Sequence, residues 1–417
     1  MILAINPQWN DEYRLSFPLG IATIVSIVKH AGYDISVIDF DANRTDNPSE
    51  SLNCIPRPEI ILLTGMITTY KRVRYYCDLL KKKWPESYII VGGGLATTAP
   101  DEILKRINAD IYVIGEGDEI ILPLIDSLLK KGNLAQVKGI KYNNNGTIFL
   151  TPPLNPPDIS KTPSPAYDLF PMDKYIKYYI ESGLSFEMYC SKGCPYRCNY
   201  CYHISGHNVR YRNVDDVIAD IRMIKTKYGL EKVSFEDDNF TTNKKWIEEF
   251  CLKVKPLHIK FRFQASIQHL TEELLEMLKD AGLSGISMGI ESGSPQILKE
   301  LNKNIQLEKV ERILKWLKDY GIQYNATFIV GSISENPETI ELTKQFLIRN
   351  GFKSNYQVFF MTLYPRTTFY EYAVKKSIID DEIDYIENLK LQNEISVNLT
   401  QYSDEILRKW YRYLKNL

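Results

Sequence analysis

The sequence predicts an α/β protein with two successive parallel sheets, the second barrel-like, complete or partial, and a short helical tail. Three observations predict it. Apolar runs alternate with helical spacing over the first 150 residues, a proline-dense stretch follows, and six further strand–helix units come after it. A chain of 417 residues is also too long for one ordinary core, so two domains are expected. The expected divisions are 1–150 for the first domain, 151–182 for a Pro-rich linker, 183–371 for the barrel and 372–417 for a helical C-terminal segment.

In the first domain "ILAINP" is a short apolar strand, and Leu19 to Gly32 reads as a helix ended by glycine. "DISVIDFD", Glu59–Gly65 and Tyr88–Gly94 read as strands, with a helix from Tyr70 to Trp84. Pro100 opens another helix, "ADIYVIGEG" is a strand, and Glu119 to Lys131 is a helix. "GIKYNNNGTIFL" reads as a hairpin turning at Asn145-Gly146. The next stretch, "TPPLNPPDISKTPSPAYDLFP", holds too much proline for a helix or a central strand, so it reads as an extended linker.

The second half offers strands at 185–190, 232–238, 261–266, 286–292, 324–331 and 356–365, with helices such as Thr271–Ala281 and Leu307–Tyr320 between them. In barrel-like parallel sheets the active site lies at the carboxyl ends of the strands. Beyond Glu371 the pattern loosens until "DEILRKWYRYLKNL", which has the spacing of an amphipathic helix.

Composition excludes several classes. Hydrophobic residues at 44% and charged residues at 25% describe an ordinary globular protein. A net charge of -1 argues against a nucleic-acid partner. No stretch approaches the roughly 20 apolar residues that cross a bilayer, and the N-terminus lacks the features of a secretion signal. A cytoplasmic location, with reduced thiols, is expected.

Four of the seven cysteines fall in "MYCSKGCPYRCNYCYH", at Cys190, Cys194, Cys198 and Cys201. The last three have the spacing C-x3-C-x2-C, which lets thiolates converge if the loop curls. Thiolates hold zinc or iron–sulfur clusters. A structural zinc would need a fourth ligand from Cys190 or His203, and no second C-x2-C knuckle exists, since Cys54, Cys77 and Cys251 are scattered. A 4Fe-4S cluster held by three cysteines keeps one iron open. Cys190 ends an apolar strand and is expected to face the core instead.

"GCPYRCNYC" closely resembles the signature of the radical S-adenosylmethionine (SAM) family. The resemblance implies that Cys194, Cys198 and Cys201 hold a 4Fe-4S cluster, whose open iron chelates SAM and on reduction yields a 5'-deoxyadenosyl radical. It covers Gly183 to about Glu371 and makes this region a partial (β/α)6 radical SAM barrel. It implies that the backbone at Tyr200 contacts adenine and that Glu236 and Asp237 in "FEDDNF" contact the methionine amine. Gln264 and Ser266 would line the end of the third strand, Glu291 would meet ribose hydroxyls, and Gly331 would let SAM approach the backbone. The sequence departs from the family at Pro365-Arg366-Thr367 and in "GSISENPET", both near the expected substrate pocket, where Tyr202, Phe359, Phe360 and Tyr364 are aromatic candidates.

The first domain resembles the Rossmann-like cobalamin-binding domain that precedes many radical SAM enzymes, through "LLTGMITTY", "IIVGGGLATTAPDEIL" and "ADIYVIGEGDE". That resemblance puts Thr64, Thr68, Gly92, Gly93, Gly94, Gly115 and Gly117 around cobalamin, where glycines at strand ends admit a ligand close to backbone amides. The loop "GMITTYKRVR" has no histidine, and His30, the domain's only one, lies in the first helix, so cobalt would lack a histidine ligand from this domain. The family implies a cobalamin-dependent enzyme, foremost a methyltransferase acting on an unactivated carbon of a small molecule or peptide. An external electron donor such as flavodoxin or ferredoxin would reduce it. A cyclase or ring-rearranging enzyme needs the same scaffold, and a zinc-stapled binding or sensor module is the reading from another class.

Overall fold

The computed structural model describes residues 1–417 except 10–13, 46 and 145. Asn145 of the expected turn therefore lies outside the described residues. The chain divides into two compact units, Met1–Glu187 and Met188–Leu417.

The first unit is built on strands β1 Ile2–Asn6, β2 Ile35–Asp39, β3 Ile60–Thr64, β4 Tyr88–Gly92, β5 Ile111–Val113, β6 Ile140–Asn144 and β7 Thr147–Leu150. They form one sheet in the order β2-β1-β3-β4-β5-β6-β7. The first five pair in parallel, and β6 and β7 add an antiparallel hairpin. The order 2-1-3-4-5 is that of flavodoxin-type doubly wound sheets, a variant of the Rossmann-like arrangement expected. Both faces are covered, so β1, β3 and β5 are apolar along almost their whole length and buried throughout except at Thr64. The helix expected after Pro100 is a single turn, Asp101–Leu104, with a separate turn, Gly93–Thr98, starting inside the glycine run.

The stretch expected to be an extended linker is folded. It carries 3₁₀ turns at Ile159–Lys161 and Tyr167–Leu169 and a helix at Met172–Ser182. Proline bars a long helix but not short turns, and the apolar residues between the prolines bury: Ile159, Ala166, Tyr167, Phe170 and Met172 are all in the core. The rings of Tyr167 and Tyr175 lie 5.1 and 5.2 Å from that of Phe17. The Tyr175 hydroxyl donates to Asp39 Oδ2 at 2.6 Å, and Asn6 Nδ2 donates to Asp39 Oδ1 at 2.9 Å. Burial raises the Asp39 carboxyl above the ordinary range, and these donors oppose the shift. Tyr175→Phe leaves one buried oxygen short of a donor. Urea denaturation should show a loss of about 1–3 kcal/mol, whereas a loosely attached linker would register no change.

The second unit carries β8 Phe186–Met188, which straddles the division, then β9 Ser191–Lys192, β10 Arg210–Tyr211, β11 Lys232–Phe235, β12 Lys260–Gln264, β13 Leu283–Glu291, β14 Gln323–Val330 and β15 Tyr356–Phe360. Six of them form a sheet in the order β15-β14-β13-β12-β11-β8, each strand beside its predecessor, as in a partial barrel. The pairs from β11 to β15 are parallel. Helices alternate with them, including Val214–Tyr228, Lys244–Val254, Glu272–Ala281, Leu307–Asp319 and Pro337–Arg349. The terminal helix Asp404–Lys415 buries Leu407, Trp410, Tyr411 and Leu414. Tyr411 stacks on Phe360 at 4.4 Å, so the helix covers the edge strand β15. Phe360 is thereby a core residue, not a pocket aromatic. No helix among the described residues is long and apolar enough to cross a membrane.

Candidate functional site

The cysteine loop leaves the sheet directly after β8 and is closed by a small antiparallel ladder, β9 with β10, which sequence periodicity did not reveal. Cys194 N donates to Gly206 O at 3.1 Å within the loop, and Arg212 N donates to Cys190 O at 2.8 Å at its base. Gly193 has φ +94, and a Cβ there would stand 2.5 Å from Asn208 O, so the loop closes only with glycine at this point.

Cys194, Cys198 and Cys201 are half-buried and line one cavity of about 230 Å³ at the carboxyl ends of the barrel strands. Burial raises all three thiols above their ordinary range, Cys201 to about 12. Cys190 is fully buried and does not line the cavity. Its thiol lies 3.4 Å from Asp237 Oδ2. Burial first, and then the Asp237 charge, pushes it well above the usual thiol range. Among the described residues, no three His, Cys, Asp or Glu side chains are placed to hold a single ion. A four-iron cluster spreads its thiolates over separate irons, and three thiols of one loop lining one cavity fit that donor set.

Around the thiols the cavity collects Tyr200, Gln264, Ser266 and Glu291, all expected there, together with Asp238, Asn239, Gln268 and Lys303, which the sequence reading did not single out. Asn239 is fully buried. Its Oδ1 accepts from Ser266 N at 3.2 Å, its Nδ2 is buried without a hydrogen-bond partner, and the residue lines the cavity. An unsatisfied buried amide is costly unless a ligand completes it. Asp238 is exposed and its Oδ2 accepts from Gly193 N at 3.0 Å, which ties it to the cysteine loop. Acceptors at Asp238 and Glu291 and a donor at Asn239 suit a ligand that carries both an amine and a carboxylate, as SAM does.

Three expected contacts do not reach the cavity. β11 ends at Phe235, and the turn beyond it breaks strand alternation. Asp237 therefore points inward, where its Oδ1 accepts from Cys190 N at 2.9 Å and from Ser191 N. Burial raises its carboxyl to about 6 against the pull of these N–H groups. Glu236 faces solvent, accepting from Ser234 Oγ at 2.5 Å and Gln264 Nε2 at 3.5 Å. Gly331 has φ +114 and donates its N–H to Glu335, away from the cavity. Tyr202 and Tyr364 pair at 5.1 Å beside the cysteine loop.

Glu291 is the most constrained residue of the site. It has φ +72, rare for a residue with a side chain, and sits where the β13–β14 register slips. Its Oε1 accepts from the Tyr200 hydroxyl at 2.9 Å and pairs with Lys303 Nζ at 3.3 Å, and its Oε2 lies 3.4 Å from Thr327 Oγ1. Burial pulls the Lys303 ammonium toward neutrality, but the Glu291 charge and its hydrogen bond hold it above the ordinary lysine value. A Cβ at Gly289 would collide with Glu291 Oε1 and stand 2.9 Å from Lys303 Nζ. The pair in this geometry uses the space that position 289 leaves free.

In the first unit the expected cofactor residues gather at the carboxyl ends of β3, β4 and β5. Thr97 ties two glycine loops together: its Oγ1 donates to Gly93 O at 2.9 Å and accepts from Gly115 N at 2.9 Å. Gly115 has φ +79 and open space where a Cβ would be, while a Cβ at Gly117 would stand 3.0 Å from Ile24. Thr64 ends β3, Thr68 is exposed on the next turn, and Gly92 ends β4 before Gly93 and Gly94. This edge presents backbone amides and little side-chain bulk, which fits a broad, flat cofactor such as cobalamin. His30 Nδ1 bonds to Ser26 O at 2.8 Å on the first helix, so it is not at this edge.

Comparison with known proteins agrees with both halves. The family model of the radical SAM superfamily matches residues 188–347, and that of the B12 binding domain matches 14–124. An uncharacterized methyltransferase of Pyrococcus horikoshii is 28% identical over 372 residues, covering 87% of this chain and 79% of its own. An anaerobic magnesium-protoporphyrin IX monomethyl ester cyclase of Rubrivivax gelatinosus is 25% identical over 339 residues, covering 78% and 61%. The solved structure of the radical SAM methyltransferase TsrM from Kitasatospora setae, with cobalamin and a 4Fe-4S cluster bound, matches with a TM-score of 0.79 over 90% of this chain and 78% of that one. At 16% identity that likeness is one of fold. TsrM has also been solved with its tryptophan substrate.

Proposed function

We propose that this chain, which belongs to the radical SAM superfamily and carries a B12 binding domain ahead of the barrel, methylates an unactivated carbon of a small-molecule or peptide substrate. It is a cobalamin-dependent radical SAM enzyme of the methyltransferase-like kind, with a 4Fe-4S cluster, SAM and cobalamin as cofactors. One observation carries the reading. Three thiols of one loop share a cavity with the carboxylates of Asp238 and Glu291 and with Asn239, whose buried amide nitrogen has no partner, while the fourth thiol turns away.

In this reading Cys194, Cys198 and Cys201 hold the cluster, and the buried thiol of Cys190 leaves one iron free. Asp238 takes the SAM amine, Asn239 donates to the carboxylate, Glu291 takes the ribose hydroxyls and the Tyr200 backbone meets adenine. Gln264 and Ser266 close the third side. Thr64, Thr68, Gly92, Gly93, Gly94, Gly115 and Gly117 border cobalamin in the first unit. Bound together, these groups supply one-electron cleavage of SAM, hydrogen abstraction from carbon and a methyl carrier. The chain's own residues fix the orientation of the reacting groups and keep ionic groups paired. An external one-electron donor of the flavodoxin or ferredoxin class supplies the electron.

With substrate, SAM and a reductant, the products should include S-adenosylhomocysteine and 5'-deoxyadenosine in near-equal amounts, read by liquid chromatography and mass spectrometry. The relatedness to a cyclase favours one second reading. Deoxyadenosine alone, with no mass gain on the substrate, would select that reading and end the methyltransferase proposal.

A further inference from the structure

We infer that the Glu291–Lys303 pair sets the reduction potential of the cluster bound by Cys194, Cys198 and Cys201. The inference rests on the cluster assignment above. Lys303 Nζ is 3.3 Å from Glu291 Oε1 and 3.5 Å from the hydroxyl of Tyr200, which lies between two of the three cysteines in the chain. All of these groups line the same cavity as the thiols. The side chains of Lys303 and Glu291 are only 16% and 7% exposed, so water screens their fields weakly.

The pair is held in place from several sides. Glu291 is kept in a left-handed backbone conformation, φ +72, by bonds from Tyr200, Lys303 and Thr327. A Cβ at position 289 would push the Glu291 carboxylate and the Lys303 ammonium from where they meet. A structural salt bridge alone gives no reason to store backbone strain beside three thiolates, because a buried pair is weak evidence for stability. Fixed charges beside an iron–sulfur cluster do have a direct effect: net charge and hydrogen bonding around the cluster set its potential.

The signs follow from charge. Reduction adds one electron, from a one-electron donor of the flavodoxin or ferredoxin class or from dithionite, and lowers the cluster's charge by one. A nearby ammonium stabilises the reduced form and a nearby carboxylate destabilises it. The neutral pair therefore balances the potential, and removing either partner must move it in opposite directions.

The test is a potentiometric titration of the reconstituted full-length protein without SAM, followed by electron paramagnetic resonance and normalised to iron content. At a fixed ambient potential near the midpoint, Lys303→Met should lower the reduced-to-oxidised ratio by about tenfold, equivalent to 59 mV for one electron. Glu291→Gln should raise it by a similar factor, and Lys303→Arg should stay close to wild type. Should Lys303→Met fail to hold iron, Glu291→Gln decides alone, and an unchanged or lowered ratio overturns the inference. Shifts of the same sign in both variants, or in neither, overturn it as well. A wild-type protein that takes up no cluster would instead remove the function proposed above, and the inference with it.

Discussion

Replacing Cys194, Cys198 or Cys201 with alanine is expected to abolish the 4Fe-4S signal and all SAM cleavage, while Cys190→Ala leaves about four irons per chain and cleavage largely intact. The asymmetry follows from where the four thiols point. Three border a common cavity; the fourth is buried against Asp237, with no exposed surface. A fourth thiolate on the remaining iron would occupy the position SAM needs, so a working site requires one cysteine to be elsewhere. Cys190→Ala also removes a small buried group, and a stability loss of about 1 kcal/mol is expected from the cavity it leaves. Iron and sulfide analysis with absorbance near 400 nm, as in any iron–sulfur protein, separates the variants. Loss of metal in Cys190→Ala, with zinc in the wild type, would make the stretch a four-thiolate structural knot and end the radical reading.

The cysteine motif was legible because its geometry is covalent: three thiols within eight residues, Cys194 to Cys201, are close wherever the loop goes. The strand–helix alternation was legible for a related reason, since buried parallel strands read as continuous apolar runs. What the sequence hid depends on which way a side chain turns beyond the end of a strand. "FEDDNF" offers three acidic residues, and strand alternation assigns their faces only as far as Phe235. Past that point the turn decides, and it sends Asp237 inward and Asp238 toward the cavity. Lys303 was hidden by distance along the chain. It reaches Glu291 from the loop after the short helix Pro295–Glu300, twelve residues on. A signal existed: a strand-end glutamate destined for burial needs a cation, and "LNKN" supplies one in the next turn. The Pro-rich stretch misled because proline density describes what a segment cannot form. The burial of Ile159, Tyr167 and Phe170 among those prolines shows what it can.

Asp237→Ala is expected to destabilise the protein by about 2–6 kcal/mol, because it leaves the buried N–H groups of Cys190 and Ser191 without an acceptor at roughly 1–3 kcal/mol each. Both N–H groups lie at the base of the cysteine loop, so the variant should also lose cluster on dilution, read by iron retention after gel filtration. Asp237→Asn keeps an acceptor oxygen and should recover most of the stability. Asp238→Asn gives the opposite profile. Its carboxylate borders the cavity and its partner, Gly193 N, can still bond to an amide oxygen. Stability should stay within about 0.5 kcal/mol of wild type, as for most exposed substitutions. SAM binding, measured by equilibrium dialysis of the reconstituted protein, should weaken by about tenfold or more, the loss of one charge-assisted contact. If Asp237→Asn instead weakened SAM binding at unchanged stability, and Asp238→Asn left it alone, the turn after β11 would present its acidic residues the other way round. Asp237 would then be the amine contact that the family resemblance suggested.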